Sequence, residues 1–353
     1  MDFCDVVGHQ RRQGLEFRIY KYDNEVNSIM RNKVAASKAV AAALIGLLAV
    51  VGAFAQPTIT AVVNGASFQS TGIASNTWIT IFGTNLALST RAWRSSDFVN
   101  GTLPTSLDGV SVKIEMCYSY LPGYNNGARN TAEMNCAYEP AFVEYISPTQ
   151  LNVLVVHTAE FLTILGNPTY AEFVMILGGQ IQVTTAAGSS VWSPPVYPGS
   201  GLGMGTWYGS AFFVVGGNYV AARHSDGTLV GKTNMIPGVY SRPAQSGEII
   251  SLYGTGLGPV SLPAPNTLIT SPIALGAPGT EFEYSLSIDD VSADVAWIGL
   301  VEAGLFQINV TVPNLPTGDY PVVFSIGDLQ AYCSPGICYG GQTQTGVLIT
   351  IQN

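Results

Sequence analysis

The residues of this chain with the clearest capacity for binding chemistry are aromatic side chains set among Gly, Asn and Ser. Trp93 lies in a long polar segment after Leu86, and Tyr118, Tyr120 and Tyr124 lie in a Tyr/Asn/Gly-rich segment. A ring presents an apolar face, and amide neighbours supply hydrogen bonds, which together suit the stacking of a sugar. These four aromatics are therefore candidate ligand-binding residues, the alternative being that they only cover the ends of the fold.

Cysteine spacing predicts two disulfide bonds. Apart from Cys4, the chain contains Cys117 and Cys136 in one segment and Cys333 and Cys338 in another. An even number of cysteines favours disulfides in a chain that is exported, as the N-terminal region described below predicts for this one. We pair neighbouring cysteines because each pair lies within a single segment. A zinc site is the weaker alternative, because neither pair has C-x-x-C spacing.

The sequence contains no recognisable catalytic constellation. His157 and His224 fall in different halves of the chain, and neither a Gly-x-Ser-x-Gly nor a His-Glu-x-x-His motif occurs. Asp289, Asp290 and Asp294 could offer oxygen ligands to calcium, but they lack the regular loop spacing, so a solvated turn is favoured. We expect no enzyme, no catalytic residue, no metal site and no cofactor.

Composition limits the class of protein. Apolar residues make up 47% of the chain, enough for a packed core, and charged residues only 10%, against roughly 25% in typical soluble domains. The net charge of −9 argues against nucleic-acid binding, which depends on basic side chains at phosphates, and against anionic membrane surfaces. These features favour an extracellular β-protein.

The N-terminal region predicts export. Residues 30–55 read as a signal peptide, with a basic start, an apolar run and a small-x-small cleavage site: Arg31, Lys33 and Lys38, then Ala39–Gly52, then Ala53-Phe54-Ala55. The apolar run is shorter than the about 20 residues that a membrane-spanning helix needs, so we expect cleavage, no remaining membrane span, and a secreted or cell-surface protein. Residues 1–29 lack targeting character and are interpreted as a non-native extension.

The rest of the chain contains one unit twice. Thr77-Trp78-Ile79-Thr80-Ile81-Phe82-Gly83-Thr84-Asn85-Leu86 returns as Glu248-Ile249-Ile250-Ser251-Leu252-Tyr253-Gly254-Thr255-Gly256-Leu257, and Gln150-Leu151-Asn152-Val153 returns as Gln307-Ile308-Asn309-Val310. By the same comparison Tyr320–Ile326 corresponds to Glu172–Leu177. Short strands separated by Gly, Pro and Asn, without helical periodicity, predict two tandem β-sandwich units.

Several residues of the repeated motifs have predicted structural roles. The strand aromatics Trp78, Phe82, Trp297 and Phe306 are expected to be core residues. Gly83, Gly254 and Gly256 are expected where a side chain would clash at positive φ.

The repeated motifs resemble known families. Ile59 to Leu86, with Asn-Gly-Ala-Ser-Phe and Ile-Phe-Gly-Thr-Asn-Leu, resembles IPT/TIG domains, which have an immunoglobulin-like fold. Asp226 to Leu229, Pro243 to Pro259 and Gly304 to Pro313 are similar to an uncharacterised C-terminal domain of exported Acidobacteria proteins of the Solibacter type. The resemblance implies a secreted, non-catalytic module and names no ligand.

The predicted organisation is an all-β chain with two tandem immunoglobulin-like β-sandwich units after the signal peptide. The first unit spans 56–187, a Gly/Pro/Ser-rich connection spans 188–210, and the second unit spans 211–353. Trp192 and Trp207 in the connection are expected to cover the junction of the two units.

Three functional hypotheses stay open. The first is binding, as a cell-surface, adhesion or matrix component with an extracellular glycan or a cell-envelope component as partner. The second is a carbohydrate-binding module that assists polysaccharide degradation. The third is a structural subunit that associates with itself through exposed edge strands.

Overall fold

The computed structural model describes residues 55–70, 76–120, 134–155, 174–194, 209–258, 260, 267–275, 284–326 and 341–353, with the backbone course alone at 116–120, 134–137, 174–179 and 341. The predicted signal peptide and N-terminal extension, Tyr124, Trp207, Cys333 and Cys338 lie outside these residues. The predicted all-β sandwich fold class is confirmed, because the described chain forms antiparallel sheets arranged as two tandem β-sandwiches. It contains no helix long and apolar enough to cross a membrane within the residues that the structure describes.

The first sandwich contains ten described strands in two sheets: β1 (Thr58–Asn64), β2 (Thr77–Thr84), β3 (Arg91–Ala92), β4 (Ser106–Leu107), β5 (Val110–Tyr120), β6 (Met134–Pro140), β7 (Phe142–Ile146), β8 (Gln150–Val155), β9 (Val174–Thr185) and β10 (Gly188–Ser189). One sheet has the order β1-β2-β8-β7-β3, and the other has β10-β9-β5-β4 with β6 also paired to β5. A 3₁₀ turn, Ser95–Asp97, follows β3.

The second sandwich contains fifteen described strands: β11 (Ala211–Phe212), β12 (Val214–Val215), β13 (Tyr219–Val220), β14 (Ala222–His224), β15 (Leu229–Val230), β16 (Ser241–Arg242), β17 (Ile249–Thr255), β18 (Ile273–Ala274), β19 (Tyr284–Ile288), β20 (Val291–Ser292), β21 (Asp294–Glu302), β22 (Leu305–Thr311), β23 (Gly318–Ile326), β24 (Gly341–Gln342) and β25 (Leu348–Ile351). One sheet has the order β16-β15-β14-β17-β22-β21-β18, so β14-β17-β22-β21-β18 repeats the order of β1-β2-β8-β7-β3.

Alternation along the strands builds a separate core in each sandwich. In β22, Phe306, Ile308 and Val310 point inward and are fully buried, while the residues between them face outward, as a half-buried strand requires. In β2, Ile79 and Ile81 enter the first core. Trp78 therefore points away from that core, although it is buried.

The strand register corrects one correspondence between the repeats. Leu286 pairs with Phe324 in the second sandwich, and Val112 pairs with Val183 in the first. Since Val110–Ile114 corresponds to Tyr284–Ile288, the counterpart of Tyr320–Ile326 is 179–185 rather than Glu172–Leu177. The sequence comparison matched a stretch at the beginning of β9, whereas the part of β9 that pairs as β23 does comes later in the strand.

The first sandwich also continues past the point where the sequence places the connection. β10 pairs with β9, and the Ser193 hydroxyl accepts a hydrogen bond of 2.9 Å from the Ile181 amide. Residues 188–190 therefore occupy the place that β24 and Thr343 have beside β23. Trp192 packs against Tyr138 of the same sandwich, with ring centroids 5.8 Å apart.

The motif Gly-Thr-Asn/Gly-Leu has a different explanation from the expected one. Positive φ occurs at Asn85 (57°) and at Gly256 (63°), not at Gly83 or Gly254. A Cβ at Gly83 would lie 2.1 Å from the Thr58 carbonyl oxygen, and one at Gly254 would lie 2.8 Å from the Ala211 carbonyl oxygen. The first glycine of each motif is thus required by close approach of a neighbouring strand.

The two sandwiches meet through specific contacts at the start of β2. The Trp78 indole donates a hydrogen bond of 3.0 Å to the Ala303 carbonyl oxygen, and a Cβ at Gly304 would lie 2.6 Å from the indole nitrogen. The Thr255 hydroxyl accepts a 2.9 Å hydrogen bond from the Trp78 amide. Trp78 is only 7% exposed because the β21–β22 turn covers it, so it is an interface residue rather than a residue of the first core.

Candidate binding face

The outer faces of the two corresponding sheets carry the same polar trio. In the first sandwich, Asn152 Oδ1 accepts hydrogen bonds from the Thr80 hydroxyl (3.1 Å) and the Gln150 amide (3.0 Å). In the second, Asn309 Oδ1 accepts from the Ser251 hydroxyl (2.9 Å) and the Gln307 amide (2.7 Å). The repeated Gln-x-Asn sequence therefore forms a hydrogen-bonded amide pair on the outward side of a central strand.

A β-bulge places an aromatic residue beside each trio. The register shifts between Val143 and Tyr145 in β7 and between Val295 and Trp297 in β21. Tyr145 then pairs with Asn152, and Trp297 pairs with Asn309. A bulge re-aims one side chain of its strand, so both repeats present an aromatic ring next to the amides.

In the second sandwich the Trp297 indole lies across Gly299. A Cβ at Gly299 would be 2.7 Å from the indole ring and 2.3 Å from the Ile273 carbonyl oxygen of β18. Glycine at this position therefore lets the indole pack close to the sheet and lets the edge strand β18 approach β21. Sequence reasoning assigned Trp297 to the core, but its side chain is half-buried on the outer face.

An open groove of about 400 Å³ lies beside Trp297. It is lined by this indole, by the amides of Gln307 and Asn309, and by three apolar residues, Pro272, Ala274 and Val301. No lining residue carries a charge. Within the described part of the chain, no hydrogen bond uses the Asn309 amide nitrogen or the Gln307 amide oxygen. The groove thus offers a ligand one aromatic ring together with uncharged hydrogen-bond donors and acceptors.

The corresponding trio of the first sandwich is more buried. Asn152 is only 5% exposed, whereas Asn309 is partly exposed; Gln150 and Tyr145 are half-buried, as Gln307 and Trp297 are. The central asparagine is therefore more accessible in the second sandwich than in the first.

Tyr253 continues the open face along β17. It pairs with Gln307 in the register, and burial raises the pKa of its hydroxyl.

Of the four predicted ligand-binding aromatics, Trp93 is the one whose side chain the structure describes. Trp93 is half-buried and packs against Trp78 and Phe98, with ring centroids 5.8 Å and 5.1 Å apart. Tyr118 and Tyr120 lie at the end of strand β5 and not in a loop. Their role in ligand binding stays a prediction.

β5 and β6 form a hairpin, with the first half of β9 on the other side of β5. Cys117 lies directly opposite Cys136 in this ladder. Val112 and Ala141 form a hydrogen-bonded pair. Hydrogen-bonded and non-hydrogen-bonded pairs alternate along an antiparallel ladder. Counting from Val112 and Ala141, Cys117 and Cys136 form a non-hydrogen-bonded pair, in which Cα atoms are about 4.5 Å apart. That spacing is compatible with a disulfide.

Asp289, Asp290 and His224 lie in a turn or in hydrogen-bonded contacts of the second sandwich, and His157 lies outside the described residues. Asp289 and Asp290 both have positive φ and form the turn between β19 and β20, and no group of three or more His, Cys, Asp or Glu side chains suited to a metal occurs among the described residues. His224 is 3% exposed. One of its ring nitrogens lies 2.6 Å from the Glu248 carboxylate, and the other lies 3.0 Å from the Arg242 carbonyl oxygen.

Comparison with known proteins identifies no family. No protein-family model matches the chain, and no curated protein is similar to it. Among solved structures, dimeric latent PorU from Porphyromonas gingivalis matches with 10% identity and a TM-score of 0.18, covering 83% of this chain and 24% of PorU. The chain therefore spans about a quarter of that protein, and the resemblance to IPT/TIG domains stays a prediction.

Proposed function

We propose that this chain is an exported, non-catalytic binding protein of the cell surface or extracellular matrix, and that its second sandwich binds a neutral glycan. The observation that carries the proposal is the groove in which Trp297 lies beside Gln307 and Asn309. Proteins recognise small ligands through apolar surface combined with a few placed polar groups, and this groove combines both.

The absence of charge in the groove lining favours a neutral saccharide over a phosphate or an acidic peptide, both of which require cationic partners. The volume of about 400 Å³ falls in the range of small-molecule sites, which is roughly 300–1,000 Å³. The indole supplies a stacking surface for the C–H face of a sugar ring. The amides supply both donors and acceptors for its hydroxyl groups.

The test is binding of the purified protein to a panel of neutral and acidic polysaccharides, measured by affinity electrophoresis and calorimetry. We expect Trp297→Ala to weaken binding of a neutral polysaccharide at least about tenfold, which corresponds to about 1.4 kcal/mol. The matched control is Tyr145→Ala, which removes the corresponding ring beside the buried Asn152 and should leave affinity unchanged.

Equal losses in the two variants, or a panel without any neutral ligand, would contradict the proposal. Filaments that form with increasing concentration, without glycan binding, would favour the self-assembling alternative instead.

A further inference from the structure

One wall of the groove is a weak edge strand. β18 contains two residues and pairs only with β21 among the described strands, through Ile273 with Leu300 and Ala274 with Gly299. Pro272 and Ala274, the two groove-lining residues of this wall, are both exposed. The end of this edge strand is held, because the Leu275 amide donates a hydrogen bond of 2.9 Å to the Ile298 carbonyl oxygen and Leu275 bridges Val260. A two-residue strand has few other bonds, so the place of its beginning depends on what holds the chain leading into it.

The chain leading into β18 is held by the first sandwich. The Leu268 amide donates a hydrogen bond of 2.7 Å to the Gly101 carbonyl oxygen, and Thr102 and Thr267 form an antiparallel bridge. These contacts come from the long polar segment after Leu86, which joins the two sandwiches at a point distant in sequence from their connection.

The contact is made by the tip of a tight turn. Asn100 and Gly101 have φ of 53° and 74°, and the Thr102 amide donates a 2.9 Å hydrogen bond to the Val99 carbonyl oxygen. Positive φ at both central positions is the geometry of a type I′ turn, for which Asn-Gly is the preferred sequence. The turn therefore presents the Gly101 carbonyl oxygen in a fixed direction.

A network at the base of the segment fastens the turn to the first sandwich. The Arg91 guanidinium donates hydrogen bonds to Asp97 (2.8 Å) and Asp108 (2.8 Å), and the Ser89 hydroxyl donates one of 2.7 Å to Asp108. Hydrogen bonds from Arg91 and Ser89 lower the pKa of Asp108 to about 2, so the network stays charged at neutral pH.

We propose that the Asn100–Gly101 turn of the first sandwich positions the wall of the groove in the second, so that the ligand site is completed by both sandwiches. The part of this inference that concerns ligand affinity rests on the proposed function. The part that concerns the position of β18 does not.

The experiment compares two variants of the full chain at one exposed position. Asn100→Val places a β-branched residue at positive φ, which the turn resists, whereas Asn100→Gly keeps that conformation accessible. Hydrogen exchange of 267–275 and the ¹⁹F resonance of fluorotryptophan at Trp297, assigned with Trp297→Phe, report on the wall without any ligand.

In Asn100→Val we expect exchange at the Leu268 amide to be at least about tenfold faster and the Trp297 resonance to shift, with Asn100→Gly close to wild type. We also expect neutral-polysaccharide affinity to fall at least about threefold in Asn100→Val alone. Equal urea midpoints for the two variants would show that the change is local.

Unchanged exchange and an unchanged Trp297 resonance in Asn100→Val would overturn the positioning role. Altered exchange with unchanged polysaccharide affinity would overturn the claim that the turn completes the ligand site. If wild type binds no polysaccharide, the proposed function fails, and the two ligand-free measurements still decide whether the turn positions the wall.

Discussion

Gly83 and Gly254, near the ends of the two corresponding central strands, provide a graded test of whether the close approach of a neighbouring strand requires glycine. Gly83→Ala would bring a Cβ to 2.1 Å from the Thr58 carbonyl oxygen, and Gly254→Ala would bring one to 2.8 Å from the Ala211 carbonyl oxygen. Both oxygens belong to backbone of a paired strand, so relief requires movement of that strand rather than rotation of a side chain.

The required movement differs between the repeats. A normal Cβ–oxygen contact of about 3.4 Å needs a shift of roughly 1.3 Å at Gly83 and roughly 0.6 Å at Gly254, and overpacking costs about 1–3 kcal/mol. Loss of glycine also stabilises by about 0.4–1 kcal/mol, because it restricts the unfolded chain. We therefore expect Gly83→Ala to lower the free energy of unfolding by about 2 kcal/mol and Gly254→Ala by at most about 1 kcal/mol.

Urea unfolding followed by tryptophan fluorescence measures the two variants against wild type, with an unchanged slope showing that the change lies in stability. Equal losses in the two variants, or a stabilised Gly83→Ala, would refute close approach as the reason for these glycines.

Three further predictions follow from single contacts. Non-reducing peptide mapping should link Cys117 to Cys136, and free thiols at both in exported protein would contradict the cross-strand bond. Burial acts to raise the pKa of Glu248, but hydrogen bonds from a backbone amide and a histidine ring outweigh it and lower the pKa below 4.5. The stabilising contribution of Glu248 is therefore present above pH 4.5 and lost as pH falls through the folded pKa. Glu248→Gln should make the urea midpoint of unfolding depend less on pH in this range. A pH dependence equal to that of wild type would count against this contribution. Trp78→Phe removes the hydrogen bond to Ala303 and should cost about 1 kcal/mol of unfolding free energy, while a wild-type midpoint would show that this bond contributes nothing.

Much of the fold was already determined by local patterns in the sequence. Alternating apolar residues, turn-forming Asn and Gly, and motifs repeated in the same order specify two sandwiches, because each strand must bury one face and each hairpin needs a residue tolerant of positive φ. The Asn100–Gly101 turn and the Gln-x-Asn pairs are visible in the sequence for the same reason.

The tertiary structure alone decided which side of a strand each residue faces and what covers it. Trp78 and Trp297 both look like core residues in the sequence, yet one lies under the β21–β22 turn of the other sandwich and the other lies on an open face. A β-bulge shifts the alternation at Trp297, and the burial of Trp78 depends on a partner far away in the chain. Neither effect leaves a local pattern in the sequence, so the open position of Trp297 and the cover over Trp78 appear only in the folded chain.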